Sequence, residues 1–230
     1  MFLQRCSIAI NMLNELISEL NSRAVDFVKV VDISMLSANE NRGYPAAILI
    51  GIALSPSYIF RLSKENILDC SEFSEKEHAA DKLAEWAADF IKAKGYKAYA
   101  QSERNLINGF YDVDTKTTPL PHKKIAMMAG LGWIGKSNLL VTQEYGSALC
   151  MCSVLTNAPF PAQNKPNMQS MCGECNVCKD ICPAKVIHGF KWEAGINRDL
   201  IIDVYHCEAC LKCLANCLWT QKYMKNYYSK

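Results

Sequence analysis

Hydrophobic positions in the first part of the chain alternate between a helical and an extended rhythm. Over residues 8–21, Leu13, Leu16, Ile17 and Leu20 recur at the three-to-four-residue interval of one helix face. Asp26–Ile33 (DFVKVVDI) and Ala46–Leu54 (AAILIGIAL) are β-branched and apolar runs that read as strands. The second is apolar on both faces, as expected of a central strand covered on both sides. Ser74–Glu77 (SEKE) has the form of a capping box. It predicts a helix that turns Leu83, Trp86, Ala87, Phe90 and Ile91 inward and stops at Gly95. Tyr96–Ala100 reads as a third strand, and residues 102–121 as a polar, irregular stretch ending in Pro119-Leu-Pro121. A short helix over about His122–Ala129 leads into a glycine loop. Leu139–Thr142 and Ala148–Thr156 read as two further strands, and Pro159, Pro161 and Pro166 mark a linker. The pattern predicts an α+β domain over residues 1–166 and a cysteine-rich domain over 167–230.

Composition narrows the function classes. Half of the 230 residues are hydrophobic and 21% are charged, which places the chain among globular proteins. A net charge of +2 gives no strong pull toward nucleic acid or an anionic membrane. No apolar run reaches the roughly 20 residues of a membrane helix. The N-terminal stretch is broken by Asn and Glu, unlike a signal peptide, so a cytoplasmic location is expected. The anomaly is cysteine: twelve are present, eight of them between Cys172 and Cys217. In a reducing compartment that density means metal or redox work rather than disulfides.

The spacing says which. Cys172-x2-Cys175-x2-Cys178-x3-Cys182-Pro183 is the bacterial ferredoxin run, and Cys207-x2-Cys210-x2-Cys213-x3-Cys217 repeats it without the proline. In two-cluster ferredoxins the last cysteine of each run ligates the other cluster. The expected assignment is Cys172, Cys175, Cys178 and Cys217 to one 4Fe–4S cluster, and Cys182, Cys207, Cys210 and Cys213 to the second. The competing metal, zinc, usually takes separated pairs of Cys or His, a form neither run has. Cys150 and Cys152 share a face of one strand as ordinary buried thiols, and Cys6 and Cys70 stand apart from the pattern.

The glycine loop, Ala129–Leu140 (AGLGWIGKSNLL), satisfies two fingerprints at once. Gly130, Gly132 and Gly135 spell G-x-G-x-x-G, and Gly130 through Ser137 spell G-x-x-x-x-G-K-S. Both need a strand before the loop and a helix after it, so that the helix N-terminus faces the phosphates. Here a helical stretch precedes the loop and an extended one follows, and Trp133 would crowd a pyrophosphate. An ATPase coupled to electron transfer is therefore the weakest functional reading.

These motifs carry a resemblance. AGLGWIGKSNLL, YGSA, SVLTNAPFP, CGECNVCKDICPAKVI and CLANCLWTQ occur in the order seen in epoxyqueuosine reductases, and the chain resembles short homologues of that family. The resemblance implies a nitroreductase-like α/β sandwich followed by a two-cluster ferredoxin-like domain, a fold shared with reductive dehalogenases. It implies a cobalamin-type cofactor, in preference to flavin, with Gly130, Gly132, Trp133, Gly135, Lys136, Ser137 and Asn138 lining its pocket. Electrons would pass from a low-potential donor such as ferredoxin or flavodoxin, through both clusters, to cobalt and a substrate. Two departures count against transfer RNA as that substrate. The chain runs only 13 residues past Cys217, without the helical repeat domain of long members. Lys116 falls where they place a catalytic Asp, leaving Asp112, Asp114 and Tyr111 as candidate proton donors. Tyr44 and Tyr145 are further candidate acids, His122 a candidate lower cobalt ligand, and His206 a neighbour able to shield a cluster. The expected acceptor is a small molecule or a protein-bound cofactor. The alternatives are a non-catalytic electron carrier or reductive activator of a partner redox protein, and an epoxyqueuosine reductase acting on tRNA.

Overall fold

The computed structural model describes residues 2–65 and 68–229, with side chains from residue 7 onward, so Cys6 lies outside the described side chains. In chain order the elements are α1 (Phe2–Asn21), β1 (Phe27–Asp32), α2 (Ala38–Asn41), β2 (Ala46–Ala53), α3 (Pro56–Lys64), α4 (Ser71–Ala93), β3 (Ala98–Ala100) and α5 (Glu103–Ile107). There follow α6 (His122–Met128), β4 (Gly132–Ile134), β5 (Leu140–Thr142), β6 (Leu149–Thr156), α7 (Val177–Ile181), α8 (Lys212–Asn216) and α9 (Leu218–Tyr228). A four-stranded sheet runs β1-β2-β6-β3, and β4 and β5 form a separate hairpin.

The chain divides into two compact units that interleave along the sequence. The first holds Met1–Ile52, Lys76–Ala129 and Cys150–Lys165. Its core joins Leu13, Leu16 and Leu20 of α1 and Ala80, Ala84, Ala87 and Ile91 of α4 to one face of the sheet. Ile48, Ile50 and Ile52 alternate toward that face, as Cys152 and Val154 do on β6. All eight residues of β2 are buried, which matches its two-sided apolar pattern.

The second unit gathers Ala53–Glu75, Gly130–Leu149 and Pro166–Lys230. The cysteine-rich stretch beginning near residue 167 thus shares its unit with two earlier segments. Ser55 caps α3 by accepting from the Tyr58 amide at 3.2 Å, with Pro56 at the first helical position. α3 packs on α8 and α9, and the Tyr223 hydroxyl donates to the Leu54 carbonyl at 2.9 Å.

Three local expectations shift. α4 starts at Ser71, not Ser74, because Asp69 Oδ1 accepts from the Ser71 amide at 2.8 Å and the Ser74 amide already donates to the Cys70 carbonyl. The polar stretch 102–121 contains α5, whose first amide, on Glu103, donates to Asp81 Oδ2 of α4 at 2.8 Å. The first half of the glycine loop is a strand, β4, in register with β5: Gly132 opposite Thr142, Trp133 opposite Val141 and Ile134 opposite Leu140.

Candidate functional site

Each ferredoxin-like run builds the same local device. The third cysteine lies on the second residue of a five-residue helix, Cys178 in α7 and Cys213 in α8. The fourth is that helix's C-cap, Cys182 after α7 and Cys217 after α8, both with extended backbone. The x3 spacing is thus one helical turn, which separates the third and fourth thiols along the helix. α7 and α8 pack against each other. Each helix thereby carries its last cysteine toward the other run.

The result is visible in a cavity of about 130 Å³ within the second unit. Its lining includes Cys172, Cys175 and Cys178 from the first run and Cys217 from the second, while Cys182 is not among them. Val141, Met171, Val177, Leu218 and Trp219 supply apolar walls, and Gly135, Lys136 and Ser137 close the polar side. Burial, and after it Cys172, Cys217 and Cys175, push the Cys178 thiol up to about 11. Cys182 instead sits buried in an apolar cluster with Val186, Ile187 and Ile202, against which Cys178 and Cys213 pack. Burial and the neighbouring Cys210, Cys178 and Cys207 raise the Cys213 thiol to about 12. Among the described residues no group of three or more His, Cys, Asp or Glu side chains is arranged to hold a single metal ion.

The glycine loop resolves as a hairpin. It follows α6 and runs into β5, so the strand–loop–helix order that both fingerprints need is missing. The turn closes through the Gly135 amide donating to the Leu139 carbonyl at 2.8 Å and the Asn138 amide to the Gly135 carbonyl at 2.9 Å. Gly132 is required by packing: a β-carbon there would stand 2.0 Å from the Val141 carbonyl oxygen. Trp133 is 1% exposed and meets Trp219 edge-to-face at 5.2 Å. Gly130 and Asn138 both adopt positive φ. Of the seven loop residues singled out in the sequence, Gly135, Lys136 and Ser137 reach the thiol-lined cavity.

The candidate proton donors lie in the first unit, on an exposed turn. Asp112 and Thr117 form a backbone bridge, and Asp112 Oδ1 accepts from the Thr115 amide at 2.9 Å. Hydrogen bonds from Thr115 hold the Asp112 carboxyl below the usual carboxylate range. Asp114 and Lys116 share that turn, and Tyr111 is 37% exposed. His122 Nδ1 lies 3.0 Å from Ser153 Oγ, which also accepts from Gln101 Nε2 at 2.8 Å. Burial lowers that imidazole to about 4, against a smaller opposing pull from Asp81. Tyr44 is half-buried, and Tyr145 stacks edge-to-face on Tyr223 at 5.5 Å. His206 is exposed and bonded through Nδ1 to Asp203 at 2.7 Å. Cys150 and Cys152 are buried in β6, with burial raising the Cys152 thiol well above its ordinary value, and Cys70 is exposed.

Sequence comparison returns epoxyqueuosine reductases. One from Synechococcus sp. (strain CC9605) is 44% identical over 92 residues, covering 40% of this chain and 25% of that protein. One from Listeria monocytogenes is 36% identical over 110 residues, covering 46% and 28%. Over that stretch the chain is similar to the epoxyqueuosine reductases. It spans about a quarter of the length of the curated relatives it matches, and no family model matches it. Among solved structures the catabolic reductive dehalogenase NpRdhA superposes with a TM-score of 0.68 at 18% identity, covering 90% of this chain and 32% of that one. An epoxyqueuosine reductase superposes at 0.51 with 17% identity, covering 76% and 53%. The mixed α/β fold is the one these reductases share. No helix among the described residues is long and apolar enough to cross a membrane.

Proposed function

We propose that this relative of the epoxyqueuosine reductases is an iron–sulfur oxidoreductase. It gathers two 4Fe–4S clusters and delivers single electrons to a small-molecule or protein-bound acceptor. One observation carries the reading: Cys217 of the second run lines a cavity with Cys172, Cys175 and Cys178 of the first, whereas Cys182 is absent from that lining and belongs to an apolar cluster that Cys178 and Cys213 both adjoin.

The residues fit the group. Thiols crowded enough to raise one another's pKa do not ionise together unless positive charge joins them, and iron would supply that charge. One zinc ion with Zn–S bonds of about 2.3 Å would draw four sulfurs to within roughly 3.8 Å of each other. The thiols here surround a cavity instead, as ligands to separate corners of a cubane would. Cys172, Cys175, Cys178 and Cys217 would hold one cluster, and Cys182, Cys207, Cys210 and Cys213 the other. Bound clusters would supply one-electron carriers whose potentials follow charge, hydrogen bonding and exposure. The protein's own part is to wall the thiols with Val141, Val177 and Trp219, to fix them through α7 and α8, and to hold Trp133 against Trp219.

Support for a cobalamin-type cofactor comes from the structural neighbours, one of which is described for B12-dependent dehalogenation at a TM-score of 0.58 and 18% identity. The glycine loop adds nothing to it. Gly135, Lys136 and Ser137 turn to the thiols, Gly132 is filled by backbone, and the cavity suits a compact cluster rather than a macrocycle. The chemistry that these residues support therefore ends at the clusters. A low-potential ferredoxin or flavodoxin is the proposed donor. Transfer RNA is disfavoured as acceptor, since a net charge of +2 supplies little phosphate neutralisation. Asp112, held ionised on an exposed turn, is also a poor proton donor.

Anaerobic reconstitution is expected to yield about eight iron and eight sulfide per chain. Stoichiometric zinc without sulfide would overturn the reading. Incubation of the reconstituted, cobalamin-supplemented protein with epoxyqueuosine-containing tRNA and a low-potential reductant tests the acceptor. Robust conversion to queuosine would restore the relatives' named reaction.

A further inference from the structure

Lys136 is a buried charge with no part in ligating the clusters. Its side chain is 5% exposed at the turn of the β4–β5 hairpin, and it lines the same cavity as Cys172, Cys175, Cys178 and Cys217. Nζ donates to Asn176 Oδ1 at 3.1 Å, a neutral acceptor, and no carboxylate among the described residues pairs with it. The cavity lining contains no Asp or Glu. A buried ammonium without a counter-ion is costly. The four thiols are the groups facing that space that can balance it once ionised.

We propose that Lys136 sets the reduction potential of the cluster held by Cys172, Cys175, Cys178 and Cys217, making it the electron sink of the pair. The proposal rests on those thiols being cluster ligands. Adding one electron adds one negative charge, and a fixed cation at the cavity wall favours the reduced form over the oxidised one. Lys136 itself is 5% exposed, and apolar groups of Val141, Val177 and Trp219 line the space it shares with the thiols, so the interaction is screened less than one between surface charges. In the second set Cys207 is exposed to water, which screens any neighbouring charge. A one-electron, low-potential reductant would lose one electron, and that electron would settle at the Lys136 side with no bond made or broken. Lys136 is thus a positioning charge rather than a catalytic residue. Asn176, immediately after Cys175, holds it in place.

The test is an EPR-monitored redox titration with dithionite on reconstituted protein, read separately for the two cluster signals after iron and sulfide have been counted. Lys136→Met is expected to shift the reduction equilibrium of one cluster at least tenfold toward the oxidised form, about 59 mV for a one-electron couple. The other cluster should be unmoved, and Lys136→Arg should restore the potential. Two clusters present with unshifted potentials would overturn the role of Lys136 while leaving the cluster reading intact. Absence of clusters from the unmodified protein would overturn the cluster reading itself. If Lys136→Met fails to assemble one cluster, Lys136→Arg and Lys136→Gln decide, since one keeps the positive charge and the other keeps a polar group without it. A potential kept with Arg and shifted toward the oxidised form with Gln supports the proposal, and equal potentials in the two, or equally poor assembly in both, overturn it.

Discussion

The two cysteine sets share one spacing and have different surroundings. Cys172, Cys175, Cys178 and Cys217 are all half-buried around one cavity, with apolar walls and a buried ammonium. In the other set Cys182 is buried in an apolar cluster, Cys210 and Cys213 are half-buried, and Cys207 is exposed beside an exposed His206–Asp203 pair. Identical ligand spacing therefore specifies what can be held and not how it behaves. Net charge and water access set a cluster's potential, and those come from segments far away in sequence, including the β4–β5 hairpin and α9. We infer that the exposed set receives electrons and the enclosed set keeps them.

The largest effect expected from breaking this contrast is all-or-none. Cys182→Ala should remove the cluster of the later run, with about four of eight irons lost, and Cys217→Ala that of the earlier run. EPR of the two variants reads which signal disappears. If each loss stays within the run that carries the mutation, α7 and α8 do not exchange their last cysteines.

A smaller effect should fall on the enclosed set alone. Gly146 has φ +59°, and a β-carbon there would stand 2.2 Å from the Thr220 backbone nitrogen, in the first turns of α9. Gly146→Ala should therefore push back the helix that carries Leu218 and Trp219 and cost about 3 kcal/mol, from backbone strain and overpacking together. Urea unfolding measures the cost. Faster decay of the enclosed cluster's signal in air, with the other unchanged, ties the damage to that wall. Equal decay of both signals would argue that the walls are not what separates the sets.

The smallest effect is a control outside both sets. His122 titrates near 4 in the folded state against an ordinary 6.5. Its depressed pKa makes folding stability complete above about pH 6.5 and erodes it as pH falls toward 4, by about 2 kcal/mol at pH 4.5 after allowing for partial exposure. His122→Gln should flatten that dependence, read by urea unfolding of the first unit, and should leave both cluster signals as they are. A cluster potential that followed His122 would break the separation.

Much of this was legible in the chain itself. Strong periodic or two-sided apolar runs placed α1, β1, β2, β6 and the body of α4, because burial is encoded residue by residue. α3 was signalled by Ser55-Pro56 and passed over, since its apolar face is short. β4 was unreadable, because three residues between Gly130 and Gly135 become a strand only when Val141 lies opposite. α5 likewise depends on Asp81, supplied by another helix. The proposed ligand inventory was read from spacing, since x2 and x3 intervals are local geometry; that Cys217 lines one cavity with Cys172, Cys175 and Cys178 is a tertiary fact. Sequence alone could match Lys136 to a phosphate loop; the hairpin turns it instead toward four thiols. Spacing along the chain determines which groups can share a ligand. Which charges, walls and water surround that ligand is decided only when distant segments fold together, because solvation and Coulomb interactions depend on distance in space.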